Sequence, residues 1–221
     1  MGAKRRIALY GGTFDPVHVG HLEVARRVSE LFEIEKVLFL PAQIAPHKLG
    51  KAVTAPMHRY AMLVLATQDD PNLAVSTFEI EATGPQYTVD TLAHFVSTLG
   101  DASELFFIMG ADSWVEITTW REWRRLLTMV NHIVVTRPGY DTVGPAEMND
   151  RIVDIRSKKV FQGESSGPKI YLTDIVTKDV SATKIRSLAN SGRFDEIATL
   201  VSPAVAKYIE KYGIYRESNE V

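Results

Sequence analysis

The sequence predicts an α/β protein, in which an open parallel sheet carries helices on both faces and further helices are appended at the C-terminal end. Nearly continuous apolar runs, typical of buried strands, alternate along the chain with segments of helical spacing. Strands of this kind belong to parallel sheets that helices cover on both sides. The composition agrees, since 45% hydrophobic and 24% charged residues are close to the averages for globular domains.

Five short apolar runs are the predicted strands; they cover residues 6–10, 36–40, 73–78, 105–109 and 132–136. Apolar residues recur at three- and four-residue steps in two of the segments between them, at Leu22, Ala25, Val28 and Phe32 and at Val89, Leu92, Phe95 and Leu99. The predicted architecture is Rossmann-like, and in such sheets ligands bind beyond the carboxyl ends of the strands.

The C-terminal part, from about residue 181 to 215, no longer alternates between strand and helix patterns and is predicted to be helical. Ser181 can begin one helix that Gly192 ends, and Ser202 with Pro203 can begin another that Gly213 ends.

No linker precedes this helical part, so residues 1–221 are predicted to form a single domain, although the length would also allow two small ones. The stretch 140–167 is rich in Gly, Pro, Ser and charge, and we expect it to be a mobile or variable excursion.

The composition excludes several classes of protein. A net charge of −2 argues against a dedicated nucleic-acid binder. No stretch approaches the roughly 18 uninterrupted apolar residues of a membrane span, and the N-terminus lacks the apolar core of a signal peptide. The absence of cysteine removes disulfides, thiol catalysis and zinc–thiolate sites. We therefore expect a cytoplasmic protein with neither nucleic acid nor membrane as a partner.

The strongest motif is the turn between the first strand and the first helix, residues 11–21, GGTFDPVHVGH. Gly11 and Gly12 have no Cβ and let backbone N–H groups approach a phosphate closely. The start of the next helix attracts anions through its free N–H groups and its dipole. His18 and His21 are three residues apart and can donate hydrogen bonds to phosphate oxygens. The histidines alone could equally be a metal pair or exposed polar residues, but together with the glycines they favour phosphate binding.

These eleven residues resemble the signature of the nucleotidyltransferase superfamily, with its H-x-G-H element, in the form found in nicotinate-nucleotide adenylyltransferases. The later segment 180–186, VSATKIR, is similar to that superfamily's second signature, I-S-x-T-x-x-R, with Val180 in place of isoleucine. Four shorter matches lie between the two signatures in the family's order, at residues 46–48, 87–92, 110–113 and 137–139. The resemblance covers roughly residues 7 to 212, nearly the whole chain.

The second signature also indicates an anion site from its residues alone. Ser181 can cap a helix, while Lys184 and Arg186 supply cations within its first two turns. A purely structural cap is the alternative. The resemblance implies that Ser181, Thr183 and Arg186 contact the phosphates of ATP.

The region 41–68 contains no Asp or Glu and follows the second strand, where the ligand crevice of the sheet is expected. The match at residues 46–48 implies that Lys48 contacts phosphates, although a solvated loop is the ordinary explanation for scattered lysines. His58 and Arg59 are expected on the surface of the following helix.

Gly110 and Asp112 follow the fourth predicted strand. Asp112 could present its carboxylate to a ribose or cap the next helix. The resemblance favours the ligand role, and it also implies ATP contacts at Thr13 and Phe14.

Trp120 and Thr88 bear on the second substrate that the resemblance implies, nicotinate mononucleotide, with its cationic ring and anionic carboxylate. An indole face attracts a pyridinium ring, and a helix that begins near Thr88 would attract the carboxylate. Trp114, Trp120 and Trp123 could instead all be packing residues.

The resemblance implies adenylyl transfer from ATP to nicotinate mononucleotide, giving nicotinate adenine dinucleotide and pyrophosphate in NAD biosynthesis. His18, His21 and Arg186 are the expected catalytic residues, and Mg²⁺ is expected to be carried mainly by ATP phosphates rather than by a protein metal site. Three alternatives remain: an adenylyltransferase for nicotinamide mononucleotide or phosphopantetheine, a non-catalytic nucleotide sensor, and a histidine–metal hydrolase. Homo-oligomerisation stays open, because every apolar helix face could be satisfied within the monomer.

Overall fold

The fold is a single parallel sheet with helices on both faces, as the sequence predicts. A computed structural model of the chain describes residues 4–43, 53–100, 102–136, 144–156, 167–175 and 180–216. Within them, seven parallel strands are hydrogen-bonded in the order β3-β2-β1-β4-β5-β7-β6. The strands are β1 (Arg5–Gly12), β2 (Lys36–Pro41), β3 (Leu73–Val75), β4 (Ser103–Gly110), β5 (Asn131–Val135), β6 (Ile152–Asp154) and β7 (Ile170–Thr173).

The α-helices of the described residues are α1 (Val19–Phe32), α2 (Pro56–Thr67), α3 (Thr88–Leu99), α4 (Ala111–Val115), α5 (Trp123–Met129), α6 (Ala182–Asn190), α7 (Phe194–Ile197) and α8 (Pro203–Lys211). In the same described residues, two 3₁₀ helices cover Ile117–Thr119 and Ala146–Arg151. None of the helices in this part of the chain is both long and apolar enough to cross a membrane.

The strand order reverses at β1, which lies between β2 and β4. Tyr10 is in register with Phe39 on one side and with Ile108 on the other. The chain therefore leaves β1 and β4 in opposite directions across the sheet, which opens a crevice beyond the carboxyl ends of these two strands. Open α/β sheets bind ligands in such a crevice.

Side chains alternate along β1 between two hydrophobic cores, one on each face of the sheet. Ile7 and Leu9 pack into the core that α3, α4 and α5 cover, whereas Ala8 and Tyr10 pack into the core that α1, α2, α6 and α8 cover. This alternation is the two-residue period of a strand, and because both faces are covered the strand is apolar throughout.

The appended C-terminal helices begin and end as predicted. Ser181 Oγ accepts a hydrogen bond from the Lys184 N–H at 3.2 Å, and Ser202 Oγ accepts one from the Val205 N–H at 3.4 Å. Gly192 follows α6 at φ +71°, in the left-handed region that favours glycine. α6 and α8 share their core with α1, which supports the proposal of a single domain.

The structure differs from the predicted elements at β3, within the stretch 140–167 and at β7, a strand that was not predicted. β3 ends at Val75 rather than at residue 78, because the Ser76 hydroxyl accepts a hydrogen bond from the Phe78 N–H and turns the chain out of the sheet. Part of the expected excursion 140–167 is ordered into the 3₁₀ helix Ala146–Arg151 and the edge strand β6. Residues 140–143 and 157–166 of that stretch lie outside the described residues.

Candidate active site

A cavity of about 600 Å³ opens beyond the carboxyl ends of β1 and β4. It lies where the order of the strands reverses, at the expected ligand crevice. Seven of the sequence-predicted site residues line it: Gly11, Gly12, Thr13, His21, Thr88, Asp112 and Trp120.

The glycine pair is required by the packing of two aromatic rings. A Cβ on Gly12 would lie 2.8 Å from the Phe14 ring, and a Cβ on Gly11 would lie 3.1 Å from the Phe107 ring. The Phe14 side chain is buried against Tyr10 and Phe39 and does not line the cavity. A larger residue at either glycine would push these rings out of place.

The two histidines lie together at the start of α1. His18 occupies the N-cap position, and its ring stacks on the ring of His21 with centroids 3.7 Å apart. The backbone N–H of His18 donates to His21 Nδ1 at 3.2 Å. A neutral His21 that accepts at Nδ1 carries its proton on Nε2, so that nitrogen is a hydrogen-bond donor.

Burial favours the neutral form of both imidazoles. It lowers the pKa of His18 to about 4, and burial together with the neighbouring His18 lowers the pKa of His21 well below its usual value. A phosphate placed beside these rings would favour the charged imidazolium and so oppose this lowering of the pKa.

The N-terminus of α1 is only partly available to an anion. The Val19 N–H, in the first turn, donates to the carbonyl of Leu200 at 2.9 Å. This hydrogen bond connects the start of α1 to the loop between α7 and α8. The remaining attraction for an anion comes from the helix dipole and from the histidine donors.

The two predicted signatures meet at Asp15. Arg186 Nη1 donates to the carbonyl oxygen of Asp15 at 2.7 Å, and Arg186 Nη2 donates to Thr183 Oγ1 at 3.1 Å. The serine–arginine segment therefore lies against the glycine–histidine loop. Ser181, Thr183, Arg186 and His18 are not in the cavity wall itself.

Asp15 is buried and binds two further segments that the sequence did not connect to it. Its Oδ1 accepts a hydrogen bond from the Tyr215 hydroxyl at 2.7 Å, and its Oδ2 accepts one from the Thr54 N–H at 3.2 Å. Burial and the Asp15 carboxylate raise the pKa of Tyr215 above its usual range, which keeps the hydroxyl protonated as a donor.

The prediction for Arg59 was wrong, because this side chain is 1% exposed rather than on the surface of its helix. Its guanidinium donates to the carbonyls of Thr13 at 2.8 Å and Ala42 at 2.6 Å, and also to those of Thr54 and Gln43. Thr13 and Ala42 line the cavity, so Arg59 supports the cavity wall from behind.

Asp112 faces the cavity and is not the N-cap of α4, a position that Gly110 occupies. This excludes the capping alternative for Asp112. Gly110 itself does not line the cavity.

Trp120 is the tryptophan that lines the cavity, whereas Trp114 and Trp123 are buried in the core. Thr88 is the first residue of α3 and lies at the positive end of its dipole, where the Asp90 N–H already donates to the Tyr87 carbonyl at 2.9 Å. The aromatic face and the positive end of a helix thus border the same space. Lys48, together with residues 46–47 and 137–139 of the shorter matches, lies outside the described residues.

Three charged residues of the cavity wall were not predicted, namely Glu79, Glu116 and Arg121. Glu79 accepts a hydrogen bond from Thr91 Oγ1 at 2.8 Å, and burial raises the pKa of its carboxyl group. Arg121 follows Trp120 and also lines the cavity. The pattern of apolar and polar residues does not distinguish these residues from other charged surface residues. For Arg121, its position next to the predicted Trp120 was an indication that it could lie in the site.

The comparisons with known proteins agree with this geometry. The family model described as Cytidylyltransferase-like matches residues 9–188, which places the chain in that class of nucleotidyltransferases. A probable nicotinate-nucleotide adenylyltransferase of Thermoanaerobacter sp. (strain X514) is 39% identical over 220 residues, covering 100% of this chain and 99% of that protein. Another, of Desulfitobacterium hafniense (strain Y51), is 41% identical over 96% of both chains.

The chain belongs to the nicotinate-nucleotide adenylyltransferase family. Its fold is similar to that of Plasmodium falciparum nicotinic acid mononucleotide adenylyltransferase complexed with NaAD, with a TM-score of 0.71 at 20% identity. That similarity covers 96% of this chain and 97% of the Plasmodium chain.

Proposed function

We propose that the protein transfers the adenylyl group of ATP to nicotinate mononucleotide, giving nicotinate adenine dinucleotide and pyrophosphate, as a step of NAD biosynthesis. An oxygen of the mononucleotide phosphate attacks the α-phosphorus of ATP. The new P–O bond forms as the bond from the α-phosphorus to the bridging oxygen breaks, and pyrophosphate leaves with that oxygen. The relatives' names support this reaction.

The observation that carries the proposal is the contact of Arg186 with Asp15, because it brings the two signature segments to one end of the sheet. A triphosphate placed there would lie between the loop that contains His21 and the segment 181–186. The attacking phosphate is already ionised, so the reaction needs alignment and charge neutralisation rather than a general base.

We assign His21 to the α-phosphate, and His18 and Arg186 to the rest of the phosphate chain. The Nε2–H of His21 is the donor that the contact with the His18 N–H leaves available. Gly11, Gly12, Thr13, Phe14, Gly110, Asp112, Ser181 and Thr183 are the further proposed ATP contacts. Phe14 can take part only through its backbone, because its ring is buried.

The acceptor is proposed to lie at the other end of the cavity, between Trp120 and the start of α3 at Thr88. The indole face suits the pyridinium ring, and the helix end suits the carboxylate. Lys48 is proposed to contact the acceptor's phosphate.

Mg²⁺ is proposed to enter with ATP and to be held mainly by phosphate oxygens and water. Among the described residues, no group of three His, Asp or Glu side chains is arranged to hold a metal ion. The oxygens of Asp112 and Glu116 in the cavity wall are of the kind that Mg²⁺ prefers. When bound, the ion supplies charge neutralisation at the phosphates. We also propose that the protein acts in the cytoplasm on small-molecule substrates.

Pyrophosphate release tests the function directly. The protein is given ATP and Mg²⁺ with nicotinate mononucleotide, nicotinamide mononucleotide, phosphopantetheine or no acceptor. We expect the highest kcat/KM with nicotinate mononucleotide and no release without an acceptor. Binding of ATP without release for any acceptor would indicate a sensor, and preference for another acceptor would replace the assigned substrate.

A further inference from the structure

Arg121 lies at the acceptor end of the cavity, in a position that the mechanism above leaves without a role. It follows Trp120 directly, in the short connection between the 3₁₀ helix Ile117–Thr119 and α5. Its side chain is 53% exposed, and the residue forms part of the cavity wall. The guanidinium is therefore accessible to a ligand in the cavity and is not buried in the hydrophobic core.

The guanidinium is positioned by an aromatic ring next to a helix N-terminus. The Arg121 Cζ atom lies 4.8 Å from the centroid of the Tyr87 ring, within the range of a cation–π contact. Tyr87 is the N-cap residue of α3, and Thr88 is the first residue of that helix. A fixed positive charge and the positive end of the helix dipole thus border the same part of the cavity.

The pairing of Arg121 with acidic residues is loose. Its closest nitrogens are 3.7 Å from Asp90 Oδ2 and 3.8 Å from Glu122 Oε1, both too long for hydrogen bonds. The neighbouring Arg124 and Arg125 instead make close ion pairs, at 2.7 Å and 2.9 Å. The N–H groups of Arg121 therefore remain able to bind an anion.

Most charged side chains of the cavity wall are acidic, so the guanidinium of Arg121 matters for binding an anionic group. Among the described wall residues, Glu79, Asp112 and Glu116 carry carboxyl groups, and Arg121 is the only lysine or arginine. A ligand carboxylate near Trp120 would meet repulsion from these acids unless a cation lay beside it. A neutral carboxamide in the same place would gain little from a guanidinium.

We propose that Arg121 is a specificity-determining residue that selects an acceptor with a ring carboxylate over one with a ring carboxamide, by donating charge-assisted hydrogen bonds to that carboxylate. The assignment rests on the proposed function. Arg121 adds a full positive charge beside the carboxylate. The indole face stacks on either acceptor's ring, and the helix end carries only a partial charge.

The test compares R121Q, R121K and R125Q with the unchanged protein, using nicotinate and nicotinamide mononucleotides as separate acceptors. Glutamine keeps much of the side chain over Tyr87 but removes the charge. Arg125 is the matched control, because it is 55% exposed and pairs with Glu122 but does not line the cavity. kcat and KM are measured for each acceptor, and KM is also measured for ATP.

We expect R121Q to raise the KM for nicotinate mononucleotide about tenfold, with kcat changed less than about twofold. Its kcat/KM for nicotinamide mononucleotide and its KM for ATP should stay within about twofold, R121K should recover part of the loss, and R125Q should change none of these values. Equal losses with both acceptors, or no loss with either, would overturn the assignment of Arg121. An unchanged protein that makes neither dinucleotide would instead overturn the proposed function, and the two failures are thereby distinguished.

Discussion

The hydroxyl of Tyr215 donates a 2.7 Å hydrogen bond to the buried carboxylate of Asp15, although 200 residues separate them in the chain. The same aspartate accepts hydrogen bonds from the Thr54 N–H at its carboxylate and from Arg186 at its carbonyl. Three distant segments thus hold the loop that contains the glycine pair and the histidines. The loop's shape depends on the closed fold as well as on its own residues.

Removing the Tyr215 hydroxyl should therefore destabilise the protein. Y215F leaves the Asp15 carboxylate buried without this donor, and we expect the free energy of unfolding to fall by about 1–3 kcal/mol in urea titrations. Y212F is the matched control, because Tyr212 is 54% exposed and should change stability by less than about 0.5 kcal/mol. Equal effects of the two variants would mean that the hydrogen bond to Asp15 contributes nothing.

Arg59 should be among the most sensitive positions for stability. R59M leaves the carbonyls of Thr13, Ala42, Thr54 and Gln43 without their donor, and we expect a loss of about 3 kcal/mol or more. R5M provides the control, since the Arg5 side chain is 63% exposed and bonds only at the surface. A stability of R59M close to that of R5M in the same urea titration would contradict the supporting role of Arg59.

His21 should matter for turnover and little for folding. H21A removes a donor at the α-phosphate, and the loss of one such donor typically costs about 2.7–4 kcal/mol of transition-state stabilisation. We expect kcat to fall at least about a hundredfold, measured as pyrophosphate release at saturating substrates. H94A, at an exposed histidine of α3, is the control and should keep normal turnover. A folded H21A protein with near-normal kcat would disprove the role of His21.

Stability should fall as the pH is lowered from about 6.5 toward 4. Burial lowers the pKa of His132 and of His18 to about 4, and that of His21 well below its usual value. The unfolded chain binds these protons below its usual pKa of about 6.5 while the folded protein does not, so acid favours unfolding. Each such histidine contributes a slope of up to about 1.4 kcal/mol per pH unit in this window.

His132 allows this slope to be measured away from the cavity. Its Nδ1 hydrogen-bonds to the Val130 carbonyl at 2.9 Å, and an asparagine amide can replace this donor. H132N should reduce the slope of unfolding free energy against pH by about one histidine's share. An unaltered slope in H132N would show that this ring takes up no proton on unfolding.

Local sequence patterns were sufficient to predict much of the fold. The five predicted strands all exist, and the caps at Ser181 and Ser202 form as expected, because strand period and cap chemistry are properties of a few consecutive residues. β6 and β7 were missed. They are three and four residues long, and they become strands by adding to the edge of the sheet at β5.

Arg59 shows why the site was less predictable than the fold. The segment around it carries the signals of a helix, but a charged side chain in a helix normally faces water. Its burial became favourable only because four carbonyls from three segments of the chain converge on the guanidinium. No local pattern contains that information.

The amino-acid sequence by itself determined the class of fold, the order of most of its elements and the glycine–histidine turn, since periodicity and turn chemistry act over short stretches of chain. Only the tertiary structure decided that Tyr215 and Arg186 both hold Asp15, and that Trp120 rather than Trp114 or Trp123 lines the cavity. Contacts of this kind depend on how distant segments pack once the sheet has closed around its two cores.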